Sequence, residues 1–182
     1  IVGEIFLKFN PFAQKDVTSW LINQKIEVIP PLISDFFMQG FVNLKVRQNQ
    51  HLQRKLTPDF VIDWLYKKVQ KQINKVNEIG KNFNYFTPFE SIFEKAEKAK
   101  QVISPGTQFG EGWLISGEIL SFASQGVNHV ISLQPFGCIA NHIVEKGIEK
   151  RIKSLCPQMN ILSLDFDSSV SDVNITNRLL LF

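Results

Sequence analysis

Hydrophobic and polar positions trade places along this chain with two different periods. From Ile1 to Phe9 the period is two, with Ile5, Leu7 and Phe9 on one side and Phe6 on the other, a strand pattern that Asn10-Pro11 ends. Asp16 is placed to cap a helix carrying Val17, Trp20, Leu21 and Ile22. Ile26-Glu27-Val28-Ile29 is then a second short strand, stopped by Pro30-Pro31. Strand, helix and strand within this span predict a parallel βαβ unit with a right-handed crossover.

The period lengthens after Pro31. Leu32 to Leu44 is apolar and aromatic and predicts a buried helix, followed by a polar loop from Gln48 to Lys55. Thr57-Pro58 has the form of an N-cap with proline at the first helical position. Val61, Leu65, Val69, Ile73 and Val76 then share one face, which predicts a long amphipathic helix ending at Gly80. Thr87-Pro88-Phe89-Glu90 predicts a second proline-started helix with a capping box, running towards Gln101.

In the second half, a glycine-rich turn from Ser104 to Gly112 precedes a helix from Trp113 to about Gln125, with Gly126 as its stop. A strand at Asn128–Gln134, a loop around Cys138, a helix at Ile143–Leu155, a strand at Asn160–Asp165 and a helix at Ser171–Phe182 complete the pattern. The prediction is an α/β domain with a small parallel Rossmann- or flavodoxin-like sheet of about four strands and helices on both faces. A helical insertion at about residues 31–101 separates βαβ (1–30) from αβαβα (102–182).

Composition narrows the partners rather than the fold. A chain of 182 residues buries about 70% of its unfolded surface, so a core forms without disulfides. Twenty basic against 17 acidic residues leave +3, too weak a balance to indicate nucleic acid. The densest basic run, Lys67-Lys68-Val69-Gln70-Lys71, has the spacing of a solvated helix face. Two cysteines without a signal peptide set no disulfide framework, and no apolar run approaches a membrane span, so a reducing cytoplasm is expected. The chain opens at Ile1 in a strand pattern and closes on Leu179-Leu180-Leu181-Phe182, which suggests a piece of a longer protein.

The densest chemistry is Gln134-Pro135-Phe136-Gly137-Cys138-Ile139-Ala140-Asn141-His142. A cysteine there stands beyond the carboxyl end of a strand, where open α/β sheets place ligands. Cys138 is open to three readings: metal or cluster ligand, nucleophile, or small apolar filler. His142, four residues on, is placed to lower the thiol pKa or to cap a helix. Cys156, at the far end of the next helix, reads as structural. Gly110-Glu111-Gly112-Trp113 opens a helix whose N–H groups suit an anion, although its spacing matches no phosphate fingerprint. Glu111 and Glu118 suit acid–base work or simple helix placement, and Asp165 and Asp167 suit ligand binding or turn formation. Asn174, Asn177 and Arg178 follow on the last helix, where Arg178 is within reach of a carboxylate or a phosphate.

Taken together, Gly110-Glu111-Gly112-Trp113-Leu114, Gln134 to Cys138 with Asn141-His142, and Asp165-Phe166-Asp167 with Val173-Asn174 and Asn177-Arg178 resemble the acyl-CoA dehydratase activase-related proteins. The opening Gly3-Glu4-Ile5, Asn10-Pro11-Phe12 and Pro30-Pro31 resemble the same family, and residues 45–100 carry little of the likeness. These are large proteins similar to the activator of (R)-2-hydroxyglutaryl-CoA dehydratase, and this segment resembles the iron–sulfur subunits of the dehydratase. The resemblance implies a [4Fe-4S] cluster held between small Rossmann-like domains, with Cys138 as one metal ligand and Gly137, Asn141, His142, Gly110 and Glu111 around it. It implies ATP-driven electron transfer to a 2-hydroxyacyl-CoA dehydratase or ATP-dependent reductase system. The implied partners are the remaining domains of the parent, a dehydratase or activator subunit and an acyl-CoA, with no nucleic acid or membrane. The remaining cluster cysteines are absent, so the piece alone is expected to be inactive. A non-catalytic Rossmann-like interaction domain with a structural Cys138 stays open as the alternative, and a Cys138–His142 thiol enzyme as a third.

Overall fold

A computed structural model describes residues 1–55 and 57–182. The chain forms β1 (Val2–Gly3), α1 (Ile5–Phe9), α2 (Val17–Asn23), α3 (Ile33–Asn49), α4 (Asp59–Gly80), α5 (Ile92–Ala99) and α6 (Gly112–Ser124). It continues through β2 (His129–Pro135), a π-helix (Ala140–Glu145), α7 (Lys146–Leu155), β3 (Asn160–Phe166) and α8 (Asp172–Leu180). The sheet is parallel, in the order β1-β2-β3. β2 and β3 are in register from His129↔Asn160 to Pro135↔Phe166, whereas β1 adds only Val2↔Ser132 and Gly3↔Leu133.

Each strand sends alternate residues to opposite faces. Val130 and Ile161 join Ile115, Ile119 and Phe122 of α6 and Ile148 and Ile152 of α7 in one core. Ile131, Leu133, Leu164 and Phe166 join Leu7 of α1, Val17 and Leu21 of α2, and Ile175 and Leu179 of α8 in another. Helices therefore cover both faces. A third core, with Met38, Val42, Ile73, Ile92 and Ala96, packs the helical insertion onto Trp113 and Leu114 of α6. α6 is buried at every residue from Gly112 to Phe122, so it is the shared wall between sheet and insertion, and its apolar character all round follows from that.

Several expected elements differ. The sheet has three strands among the described residues rather than four, because Ile26–Ile29 forms no ladder. Its recorded tie to the sheet edge is the Ile1 amine donating to the Ile29 carbonyl at 3.1 Å. Pro30 and Pro31 bring no N–H with which to extend that contact. The βαβ unit predicted over residues 1–30 is therefore absent. The first strand stops at Gly3, and residues 5–9 are helical instead of extended. Gly3 holds φ at +108°, and the Glu4 carboxylate accepts from the Leu7 N–H at 2.9 Å, which caps a helix at that point.

Asp16 precedes α2 but makes no side-chain cap; Gln14 Oε1 accepts from the Thr18 N–H at 3.0 Å instead. α3 runs on to Asn49, past the predicted loop start. α4 begins one residue later than predicted, with Pro58 in the cap position. The capping box belongs to Ser91 and Glu94, so α5 starts at Ile92 rather than at Pro88. No helix among the described residues is long and apolar enough to cross a membrane.

Candidate functional site at the carboxyl ends of the strands

The polypeptide leaves β2 through a tight turn. Phe136 N–H donates to the Phe166 carbonyl at 2.8 Å, which carries the ladder one step past the strand. Cys138 N–H donates back to the Pro135 carbonyl at 3.1 Å, with Gly137 at φ +80° between them. The left-handed backbone is why glycine stands there. His142 N–H donates to the Cys138 carbonyl at 2.7 Å, and Ala140–Glu145 wind as a π-helix instead of the α-helical start expected at Ile143. Such wide turns occur often at functional sites.

Cys138 is half-buried, and its Sγ accepts from Asn141 Nδ2 at 3.3 Å. Asn141 itself is wholly buried, and its Oδ1 has no partner. His142 turns Nδ1 towards Asp165 Oδ1 of β3 at 3.7 Å, beyond hydrogen-bond range, while its ring meets Phe136 edge-on at 5.5 Å. Lys146 Nζ pairs with the other Asp165 oxygen at 3.3 Å. No hydrogen bond joins the His142 ring to Cys138 Sγ. Beneath the turn, the Glu145 carboxylate is buried, accepting from Gln134 Nε2 and from Ser163 Oγ at 3.0 and 3.2 Å. Burial pushes the Glu145 carboxyl up, against the pull of its two donors.

Six buried side-chain atoms among the described residues lack a hydrogen-bond partner, and five lie on this end of β2, β3 and the π-helix. They are Ser132 Oγ, Gln134 Oε1, Asn141 Oδ1, His142 Nδ1 and Asp165 Oδ1. Buried polar atoms are normally satisfied, so their concentration marks this crevice apart from the rest of the core.

The glycine-rich turn leans on the same place. Gly110 has φ +55°, and a Cβ there would lie 3.4 Å from Ala140 Cβ of the π-helix. Its expected anion cradle is already occupied by the chain itself. Gly112 N–H donates to the Phe109 carbonyl at 2.9 Å and Trp113 N–H to the Thr107 carbonyl at 3.1 Å. Glu111 Oε1 accepts from the Ile5 N–H at 2.8 Å, so it joins α6 to α1, and burial raises its pKa. Glu118 is paired with buried Lys8 at 3.3 Å inside the protein, with desolvation again raising the carboxyl. Neither acid faces the turn as a free acid–base group.

The other predicted residues separate. Asp167 Oδ1 accepts from Ser169 N–H at 2.7 Å and its hydroxyl at 2.9 Å, a turn-forming role that holds its carboxyl below the ordinary value. Arg178 donates to the Ser163 carbonyl at 2.6 Å rather than to an acid or a phosphate. Asn174 and Asn177 are exposed on α8. Cys156 caps α7 and packs against the first core, as a structural cysteine would. Sequence reasoning missed Glu145, Ser163 and Lys146, whose roles depend on β3 lying beside β2; the one available signal was Gln134, a polar residue ending an apolar strand.

No family model, curated protein or solved structure matches this chain.

Proposed function

We propose that this chain is a Rossmann-like domain of a 2-hydroxyglutaryl-CoA dehydratase activator-related protein that contributes Cys138 as one ligand to a [4Fe-4S] cluster shared with other domains. The observation that carries the reading is the Asn141 Nδ2 donor 3.3 Å from a half-buried Sγ on a glycine turn. Hydrogen bonds to ligating sulfur stabilise thiolate character and tune a cluster's potential. The described residues hold no group of three or more His, Cys, Asp or Glu placed for a metal, so this reading requires the other ligands to come from other domains.

Exposed Phe109, Phe136 and Ile139 flank the turn. An apolar rim of this kind suits a cysteine that is dried by a neighbouring domain, because excluding water from a cluster sets its potential. A bound cluster would supply one-electron transfer in the ATP-driven dehydratase or reductase system that the sequence resembles. This chain's own residues hold and orient: Gly137 sets the turn, Asn141 fixes the sulfur, and the Asp165–Lys146 pair lies beside the His142 ring. The same exposed rim also supports the second reading, an interaction domain with an inert Cys138.

The deciding measurement is iron and acid-labile sulfide in the intact protein, purified without oxygen, beside its Cys138→Ala variant. Bound iron that falls in the variant while circular dichroism is unchanged is the expected result. Equal iron in both proteins, or none in either, rejects the cluster reading and favours the interaction domain.

A further inference from the structure

α4 is the longest helix among the described residues, and its apolar face is used only in part. Its 22 residues extend about 33 Å at 1.5 Å per residue. One edge of its apolar face is packed: Ile62 and Ile73 are buried, Tyr66 meets Phe41 and Phe93, and Gly80 lies against Phe86. The rest of that face is uncovered. Leu65, Val69, Val76 and Ile79 are all exposed, at 44%, 39%, 49% and 63%. At 100° per residue they fall on one stripe, with the exposed amide Gln72 between the Leu65/Val69 and Val76/Ile79 pairs. An amphipathic helix is stabilised by burying such a stripe, and clustered exposed apolar residues on it mark a contact surface.

The border of the strip identifies what fits it. On the solvent side, helical spacing places Lys68, Lys75 and Lys71 beside the apolar residues, with Trp64 among them. Lys68 Nζ lies 5.2 Å over the Trp64 ring. Lys67, Lys68, Lys71 and Lys75 have no carboxylate partner among the described residues, whereas Asp59 and Asp63 are tied to Lys55 and Lys45. Glu78, the one acid on this side of the helix, pairs with Lys81 at 3.5 Å, so Lys68, Lys71 and Lys75 leave the border net basic. A second copy docked antiparallel would set one lysine border against the other, which is repulsive. We infer that α4 is a docking surface for an amphipathic helix of another domain or protein, whose apolar stripe is bordered by Asp or Glu. Leu65, Val69, Val76 and Ile79 supply the buried contact, and Lys68, Lys71 and Lys75 select for the acidic border. This surface is independent of Cys138 and stands whether or not iron is bound.

Two synthetic helical peptides of about 22 residues serve as probes, with the same leucine stripe but bordered by Glu in one and Lys in the other. Calorimetric titration into the chain is expected to show the Glu-bordered peptide binding at least about tenfold more tightly. The Leu65→Ser/Val76→Ser variant, altered only at exposed sites, should keep its thermal midpoint and lose about tenfold or more in affinity. No binding of the Glu-bordered peptide at about 0.1 mM, equal binding of both peptides, or binding unaffected by the double variant overturns the proposal. Cosedimentation with phosphatidylcholine vesicles containing about 30% phosphatidylglycerol, lost in the double variant, overturns it in favour of a lipid surface. Dimerisation in analytical ultracentrifugation, lost in the same variant, overturns it in favour of a second copy.

Discussion

Gly3 shows how much a single residue decides at the sheet edge. Its φ of +108° is closed to L side chains, and a Cβ there would stand 2.2 Å from the Leu133 carbonyl oxygen. Gly3→Ala must therefore break the β1–β2 contact or move β2. The expected cost is about 2 kcal/mol or more, read as the shift in urea midpoint. Glu145 makes a second prediction at this scale. Burial raises its carboxyl pKa, so the folded state binds the proton more tightly than the unfolded chain does. Its favourable contribution is complete below the ordinary glutamate range and is lost as pH rises through the elevated value. Denaturant unfolding of the wild type and of Glu145→Gln should show this directly. The stability of the wild type relative to the variant falls as pH rises above the ordinary glutamate range, and a pH-independent difference contradicts the assignment. Asn141→Leu tests the sulfur contact: with the Nδ2 donor gone, alkylation of Cys138 should change rate while the far-UV spectrum stays constant.

At the scale of elements, α5 and α6 approach so closely that Gly117 has no room for a methyl group. A Cβ on Gly117 would lie 2.8 Å from the Lys95 carbonyl oxygen. Gly117→Ala gains helix propensity of about 1 kcal/mol but forces the two helices apart, and net destabilisation of about 1–3 kcal/mol is expected from thermal unfolding. The same pair of helices carries buried charge. Lys8–Glu118 joins α1 to α6, and Lys95–Asp35 joins α5 to α3, with all four side chains nearly inaccessible. Lys8→Met leaves Glu118 buried without its cation and should cost about 3–5 kcal/mol. The double variant Lys8→Met/Glu118→Leu should recover most of that, because the uncompensated charge is then gone. Elements with a long single period were legible from the chain: α4, α6, α7 and β2 stand within a few residues of where their patterns put them. Residues 5–9 were not, because five residues satisfy a strand alternation and a helical turn about equally well. Gly3 and the Glu4 cap decided that local choice.

Across the whole molecule, the layers differ in how deeply they are held. α6 is enclosed by the sheet on one side and the insertion on the other, whereas α4 touches the rest along one edge. Native-state hydrogen exchange should therefore find α6 amides among the most protected and much of α4 exchanging through local opening. Two of the apolar surfaces left uncovered, the rim of the Cys138 turn and the stripe on α4, lie in different parts of the fold, one on the strand ends and one on the insertion.

By itself the sequence determined the α/β class, the helical insertion, the course of the amphipathic helices and the placing of Cys138 past a strand. Each of these rests on local period and on turn residues, which act within a few positions of one another. Only the tertiary structure decided that the sheet has three strands, that Glu111 and Glu118 are spent on internal contacts, and that Gln134, Ser163 and Glu145 meet beneath the turn. Such facts depend on partners distant along the chain, such as Ile5 for Glu111 and Lys8 for Glu118, and no local pattern encodes who those partners are.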